Sequence, residues 1–400
     1  MVVDYRVTFY ILAFFFVLFF YIAPLFFVLM YPAKGVYSFV VTDSKIVRSL
    51  FSLFLFFWGF IFLDLILRFF RARKVMPNCG EGGVSFSFSW VGWLAFWGYI
   101  LYLVIVSLDQ GRTSALYEAR QTGGGSWLFL AIQLLAGVVK MALVCSLLNS
   151  RKTFMAVFVV SFSVLVEFYS ATGRVNMIVN FVVLALIFIG VRARYFSLAM
   201  FIAAVVLMPT LLNMKSIIYN VALLGDFEIK SEYFVFDPAA FVDNFGHPLV
   251  SMFEVDGLLD IVGYRFFYDY IQGFLFYFKI FGIDFFGNSI TYANTMNLLG
   301  FEDSVIPPGY MAFGFVQFDY LGVFFSGLFY RWLGWLGELL VVKLALCSNA
   351  GVFFVAFMAA NTFYHGDVRV MVMTLFFVYA FLYIFVSLFQ RRNDLVRSYL

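Results

Sequence analysis

The sequence predicts an all-α polytopic integral membrane protein, with about ten transmembrane helices and one large outer loop containing an amphipathic interfacial helix. Three observations carry that prediction. Of the 400 residues, 64% are hydrophobic and only 12% charged, where a soluble domain is roughly half apolar and a quarter charged. The apolar residues come in runs near the roughly 20 residues that a helix needs to cross a bilayer. The short basic clusters between those runs all fall on one side once the runs are counted as crossings.

Taken in order, the first run, Val7 to Met30, is longer than a signal-peptide core and ends without a small-residue cleavage site, so it reads as a retained span. Further runs place helices near 46–67, 88–107, 126–148, 153–170, 175–190, 195–212, 320–342, 350–364 and 368–389. The short ones need tilt or local thinning of the bilayer. With the N-terminus inside, the inner segments carry Arg6, then Arg68, Arg71, Arg73 and Lys74, then Arg151 and Lys152. They also carry Arg192 and Arg194, Lys343, and the tail residues Arg391, Arg392 and Arg397, so both termini are inside. Connections 31–45, 108–125, 171–174 and 365–367 then face outward, as does one long segment from Asn213 to about Asp319.

That segment is too long for a plain connection, and function is expected there. Within it, Tyr264 to Gly282 imitates a span, but Arg265, Asp269, Gln272 and Lys279 recur as one polar stripe of a helix. A crossing here would also put the QRRNDLVR tail outside, against the charge rule. The stretch is therefore expected to lie along the membrane surface. Pro307, Pro308 and Gly309 end the loop. Without repeats or low-complexity linkers, residues 1–400 read as a single membrane domain, with the loop 213–319 inside it.

Composition excludes several functions. A net charge of +3, with basic residues scattered beside apolar runs, does not suit nucleic acid. Cys79, Cys145 and Cys347 have no paired spacing and no neighbouring histidine, so neither a metal site nor a disulfide framework is expected. The 59 Phe and 24 Tyr read as packing and lipid-facing surface. No G-x-x-x-x-G-K-[ST], G-x-S-x-G or H-E-x-x-H motif is present. Thr122 to Gly125, T-G-G-G, precedes a span with no strand before it and reads as a flexible turn. The loop 31–45 holds a lone Asp43, without the acidic pair by which metal-dependent polyprenyl-phosphate-sugar glycosyltransferases bind their ion. No cofactor is expected.

Charges near membrane depth persist mainly where they face a partner or a water-filled cavity. The outer candidates are Arg174, Lys215, Arg265, His365, Asp367 and Arg369, with Arg112 and Arg120 further out. Arg174, in a four-residue turn, and Arg369, at the start of the last span, suit an anionic phosphate head group, because a guanidinium grips two phosphate oxygens at once. Each also suits snorkelling to ordinary lipid phosphate. His365 has the chemistry to take a proton from a sugar hydroxyl or to hydrogen-bond a leaving oxygen. Asp367 either orients that imidazole or caps the final helix and pairs with Arg369. His247, in N-F-G-H-P, reads as loop-positioning; Lys140 and Arg331, inside apolar runs, read as interior or snorkelling and receive no chemistry.

The order of short motifs A-T-G-R-V-N (Ala171 to Asn176), V-I-P-P-G-Y-M-A-F-G-F (Val305 to Phe315), D-Y-L-G-V (Asp319 to Val323) and Y-H-G-D-V-R (Tyr364 to Arg369) resembles the O-antigen or oligosaccharide repeat-unit polymerases of Wzy type. The resemblance covers the chain from about 165 onward. It implies a bacterial inner-membrane glycosyltransferase, metal-independent, whose large loop is periplasmic. Such an enzyme takes the growing glycan from undecaprenyl pyrophosphate and joins it to another lipid-linked repeat unit; a chain-length regulator protein is an implied partner. Carried over by motif, Arg174 and Arg369 would bind pyrophosphate; the amphipathic 264–282 helix, with Arg265 and Lys279, would line the cavity where glycan meets lipid, and Lys215 is a further substrate-binding candidate. His365 stands where that turn is expected to carry arginine, so base and phosphate hydrogen-bond donor both remain open for it, with Asp367 as its companion. Two alternatives share the donor: a ligase transferring finished glycan to lipid A core, and a lipid-linked oligosaccharide transporter.

Overall fold

The computed structural model describes residues 4–30, 41–69, 90–109, 139–145, 147–148, 152–169, 174–189, 192–206, 231, 235–275, 290–300, 306–344, 346 and 348–389. Of these, 90% are helical and none lies in a strand. Among the described residues, three helices are long and apolar enough to cross a membrane: Tyr5–Met30, Asp43–Phe69 and Gly309–Lys343.

Helix α1 (Tyr5–Met30) starts where the Asp4 carboxylate accepts from the Val7 N–H at 3.1 Å, filling an otherwise orphaned donor. It passes through a π turn at Leu18–Ile22. Pro24, just beyond, has no N–H to give back to the preceding turn, and a widened turn is how a helix absorbs that loss.

Helix α2 (Asp43–Phe69) and the long limb of α12 (Gly309–Lys343) are the central pair. Phe51 stacks edge-on with Tyr320 at one end, and Arg331 meets Asp64 toward the other, so the two run parallel. Their backbones touch because glycines face each other: Gly59 against the Phe324 carbonyl, Gly327 against the Phe56 carbonyl. In lipid, where helices gain nothing from expelling water, close approach at small residues supplies the attraction. Helix α1 runs antiparallel to α2, with Tyr21 Oη donating to the Ser49 carbonyl at 3.3 Å and Tyr10 Oη bonded to Asp64.

Around this pair pack α3 (Trp90–Asp109), α4 (Thr153–Tyr169), α5 (Arg174–Ile189) and α6 (Ala193–Val206). So do α13 (Asn349–His365) and α14, which begins at Val368–Met371, widens into a π turn at Val372–Phe376 and ends as Phe377–Phe389. Ring pairs mark the contacts: Trp97 with Phe162, Phe15 with Phe201, Phe196 with Phe353 and Phe16 with Phe357. The stretches expected as spans are helical where they are described, though of 126–148 only 139–145 and 147–148 are described, and 207–212 lie outside the described residues.

The ends carrying Arg6, Arg68 and Lys343 lie together, where Arg6 pairs with Glu338 at 2.9 Å and Arg68 with Asp64 at 2.7 Å. At the opposite end five short helices of the long loop pack on the bundle: α7 (Pro238–Phe245), α8 (His247–Phe253), α9 (Val255–Val262), α10 (Tyr268–Leu275) and α11 (Ile290–Leu299). Two ion pairs tether them to the start of α2: Lys45 to Glu254 at 2.5 Å and Arg48 to Asp256 at 2.8 Å.

Two expectations change. The span expected at 320–342 begins earlier, as a hairpin. Residues 309–317 are helical and buried throughout, and the chain reverses at Phe318 (φ −164°, ψ 51°) and Asp319 (φ 51°, ψ −145°). The first limb then lies back on the second, with Gly314 and Gly322 in backbone contact. The stretch expected on the membrane surface is also turned round. In α10 the polar stripe faces the protein, with Asp269 and Gln272 buried, while Ile271, Phe274 and Tyr268 point outward. A polar stripe marks one face of a helix without saying which side the protein covers.

Candidate functional site

Three short stretches, H-G-D, P-P-G and G-H-P, meet where α13 stops. This helix has 17 residues, about 25 Å of rise, against the 24 residues of the α12 long limb, so its outer end falls roughly 10 Å short of the hairpin tip. Loop helices fill the recess. The α13 C-terminus is closed by Gly366, whose φ of +65° is a conformation that a side chain rarely takes, with its N–H on the Thr362 carbonyl at 3.3 Å. Gly366 lies directly against the backbone of Gly309, itself at φ +71°, and a Cβ on Gly309 would sit 2.6 Å from the Pro248 Cβ. H-G-D, P-P-G and G-H-P therefore share one contact.

Around this contact the side chains are polar. Asp367 is buried, and its Oδ2 accepts from Thr291 Oγ1 at 2.6 Å. Its backbone carbonyl takes the Met371 N–H and starts α14. Thr291 belongs to a stripe on α11. Asn294 Nδ2 donates to Ser251 Oγ at 3.0 Å and to the Ile306 carbonyl at 2.9 Å, and Thr295 Oγ1 receives the Ile306 N–H at 2.8 Å. This stripe ties α11 to α8, to the P-P-G approach and to the aspartate. It was legible as Thr and Asn at offsets of three and four, and sequence reasoning passed over it because it carries no charge.

His365 is half-buried, its ring 5.2 Å from that of Tyr364. Tyr364 also meets His247, ring to ring at 4.3 Å and perpendicular, 3% exposed, at the first position of α8. Desolvation pushes the His247 imidazole down to about 3, with the nearby His365 adding to the shift and a bond to the Tyr364 backbone opposing it. The ring is thus neutral at ordinary pH, and its Nε2 is buried without a hydrogen-bond partner. Asn294 Oδ1 is in the same condition. Sequence reasoning assigned His247 a loop-positioning role, and its place against the H-G-D turn makes it part of the cluster.

Of the sequence-predicted site residues, His365 and Asp367 come together here. Arg265 does not stand alone as a cation. Its guanidinium grips the buried Asp269 through two bonds of 3.2 Å, Gln317 Nε2 adds a third to that carboxylate at 2.7 Å, and Tyr268 lies under the guanidinium. The α10 helix that bears this pair also touches the turn, Gly273 packing on Val368. Arg174 opens α5 and Arg369 lies in the first turn of α14, and their side chains fall outside the described set. Lys215 and Lys279 lie outside the described residues altogether.

A second polar cluster lies at the other end, inside the apolar runs. Arg331, 2% exposed, bonds Asp64 through Nε at 2.8 Å and Nη2 at 2.7 Å, and lies 5.5 Å from the centre of the Tyr10 ring. Glu338 is buried too and pairs with Arg6. The bundle interior is therefore not as poor in charge as the apolar runs suggest. Comparison with protein-family models, curated proteins and solved structures finds no match to this chain.

Proposed function

We propose that the chain is a repeat-unit polymerase of the bacterial inner membrane, joining undecaprenyl-pyrophosphate-linked oligosaccharides at the periplasmic face. The observation that supports the reading is the convergence of P-P-G with H-G-D at Gly309 and Gly366, since these are two of the four motifs behind the resemblance and they lie 57 residues apart in sequence. Beside that contact the Asp367 carboxylate is held fixed by Thr291, and His365 is half-open.

In the proposed reaction an acceptor sugar hydroxyl attacks the anomeric carbon of the donor glycan. The carbon–oxygen bond to the lipid pyrophosphate breaks, and the hydroxyl proton passes to the His365 imidazole. Burial holds the His365 imidazole down at about 4, and the Asp367 carboxylate opposes that shift by favouring the imidazolium that results. Arg174 and Arg369, with Lys215 and Lys279 around the loop, meet the charge developing on the leaving pyrophosphate, where fixed cations stabilise a transition state most; Arg265, its charge taken up by the buried Asp269, positions α10. A second reading, transfer of finished glycan to lipid A core, is favoured by the location of His247 beside the same turn.

Deletion of the gene in its host, followed by gel analysis of surface polysaccharide, separates these readings. Single capping repeat units identify a polymerase, and free unattached polymer identifies a ligase. Complementation by Arg174→Ala or Arg369→Ala that restores a full ladder would overturn the arginine assignments. Reporter fusions placing 213–319 in the cytoplasm would overturn the mechanism.

A further inference from the structure

Both histidines of the chain meet the ring of one tyrosine. Tyr364 stands nearly perpendicular to His247 at 4.3 Å and to His365 at 5.2 Å, and Phe20 in the π turn of α1 meets it at 4.8 Å. The His247 imidazole is also bonded to the Tyr364 backbone. Histidine is the side chain whose ordinary charge change lies nearest neutral pH. The contact therefore joins the long loop to α13 through the two groups of the chain most open to acid.

Positive charge is poorly answered there. Around His247, α13 supplies Tyr364 and His365, and Asp367 follows in the turn. The first limb of α12 supplies Tyr310, bonded to Thr362 and Met371, and α1 supplies Tyr21, bonded to the Ser49 carbonyl. Lys45 and Arg48 of α2 pair with Glu254 and Asp256 beyond the other end of α8, and α7 carries Asp243 one turn before the imidazole. The α11 stripe reaches α8 through neutral groups, Asn294 and Ser251. The charge that acts on His247 is that of His365, and it opposes protonation, whereas Asp367 favours protonation of His365. Packed as it is, His247 stays neutral down to about 3. Opened to water it would take a proton near its ordinary pKa, so an open arrangement gains on the closed one by about 25-fold between pH 7 and pH 5.

Magnitude decides what can move. That factor corresponds to about 2 kcal/mol. Lifting α8 would uncover Leu249, Val250, Met252 and Phe253, all fully buried, at several times that cost. Tyr364 is only half-buried, and turning its ring out takes a change of rotamer that leaves Gly366 seated on Gly309. An imidazolium carries a proton on both nitrogens, and His247 Nε2 is enclosed. The Tyr364 ring lies directly against that imidazole, so its departure lets water in.

We propose that Tyr364 is an acid-released lid: charging His247 turns the Tyr364 ring out to solvent and opens the recess beside the H-G-D turn, while α8 and the bundle stay in place. The lid does not rest on the polymerase reading, since its readout is the position of a ring. Hydroxyl-radical footprinting of the full chain in lipid nanodiscs, read by mass spectrometry at pH 7, 6 and 5, tests it, with the exposed Tyr268 as internal standard. Tyr364 oxidation relative to Tyr268 should rise several-fold as the pH falls, and that of the buried Tyr310 and Tyr330 should not change. His247→Gln, neutral at every pH, should hold Tyr364 at its pH 7 level, and a melt at pH 7 checks that this variant folds. If it does not fold, His365→Gln serves, because it leaves His247 in place and should keep the rise. Oxidation of Tyr364 that is flat with pH, or that falls because a charged imidazole grips the ring by cation–π attraction, overturns the lid. So does a rise shared by Tyr310 and Tyr330, a rise that survives His247→Gln, or one that His365→Gln abolishes.

Discussion

The two polar clusters of this molecule solve the same problem in opposite ways. At the end carrying Arg6 and Lys343, which the charge rule expects to be the inner one, Asp64, Arg331, Arg68, Glu338 and Arg6 are charged groups paired with one another, and the arrangement is closed. At the opposite end, expected to be the outer one, Thr291, Asn294, Ser251, His247 and Asp367 interlock chiefly through neutral groups, and two buried atoms, His247 Nε2 and Asn294 Oδ1, have no partner. Paired charge inside lipid fixes which helices touch. Buried groups left unpaired cost free energy.

The comparison breaks first at Arg331. Arg331→Leu takes the buried guanidinium from Asp64, leaving the carboxylate to Arg68 and Tyr10, and should lower stability by about 3 kcal/mol, whereas pairing it with Asp64→Leu should recover part of the loss; unfolding of the detergent-solubilised protein measures both. If the single and double variants are equally unstable, the inner cluster is not a closed pair. Next comes Gly366→Ala, which meets both a left-handed φ and the Gly309 backbone. A loss of roughly 2–3 kcal/mol is expected, read by the same melt, with loss of the polysaccharide ladder.

The outer cluster is expected to respond to acid. A histidine depressed from 6.5 to about 3 by burial is neutral in the fold but protonated in the unfolded chain below pH 6.5. Its stabilising share is therefore fully present above that pH and declines as pH falls toward 3, by about 2 kcal/mol at pH 5. His247→Gln should flatten the slope between pH 7 and 5. The smallest expected effect is that of Thr291→Val, which removes the 2.6 Å bond to Asp367. About 1–2 kcal/mol should be lost, and activity should fall more than the melting temperature if the aspartate works at the site.

The contrast also explains what was legible in advance. That the chain is helical, with helices apolar and long enough to cross a membrane, follows from run length and composition, which need no knowledge of neighbours. The H-G-D turn stood out as a charge cluster in an apolar chain. Which charges pair did not, because Asp64 and Arg331 lie 267 residues apart and only the fold brings them together. The inward turn of the α10 stripe was hidden for a related reason: Arg265, Asp269 and Gln272 define a face, and its direction depends on Gln317 being there to meet it. The reversal at Phe318–Asp319 has no glycine or proline to announce it, and its sequence trace is the Gly314 and Gly322 pair that lets the limbs close.

That reversal has a consequence for how membrane topology is counted. A limb that rises to the tip and turns back adds helix without adding a crossing, so the parity of the chain is the same on either side of it. Reporter fusions after residue 300 and at Asp319 should register the same compartment. A hydropathy count that scores 309–317 as half a span would misassign every residue downstream.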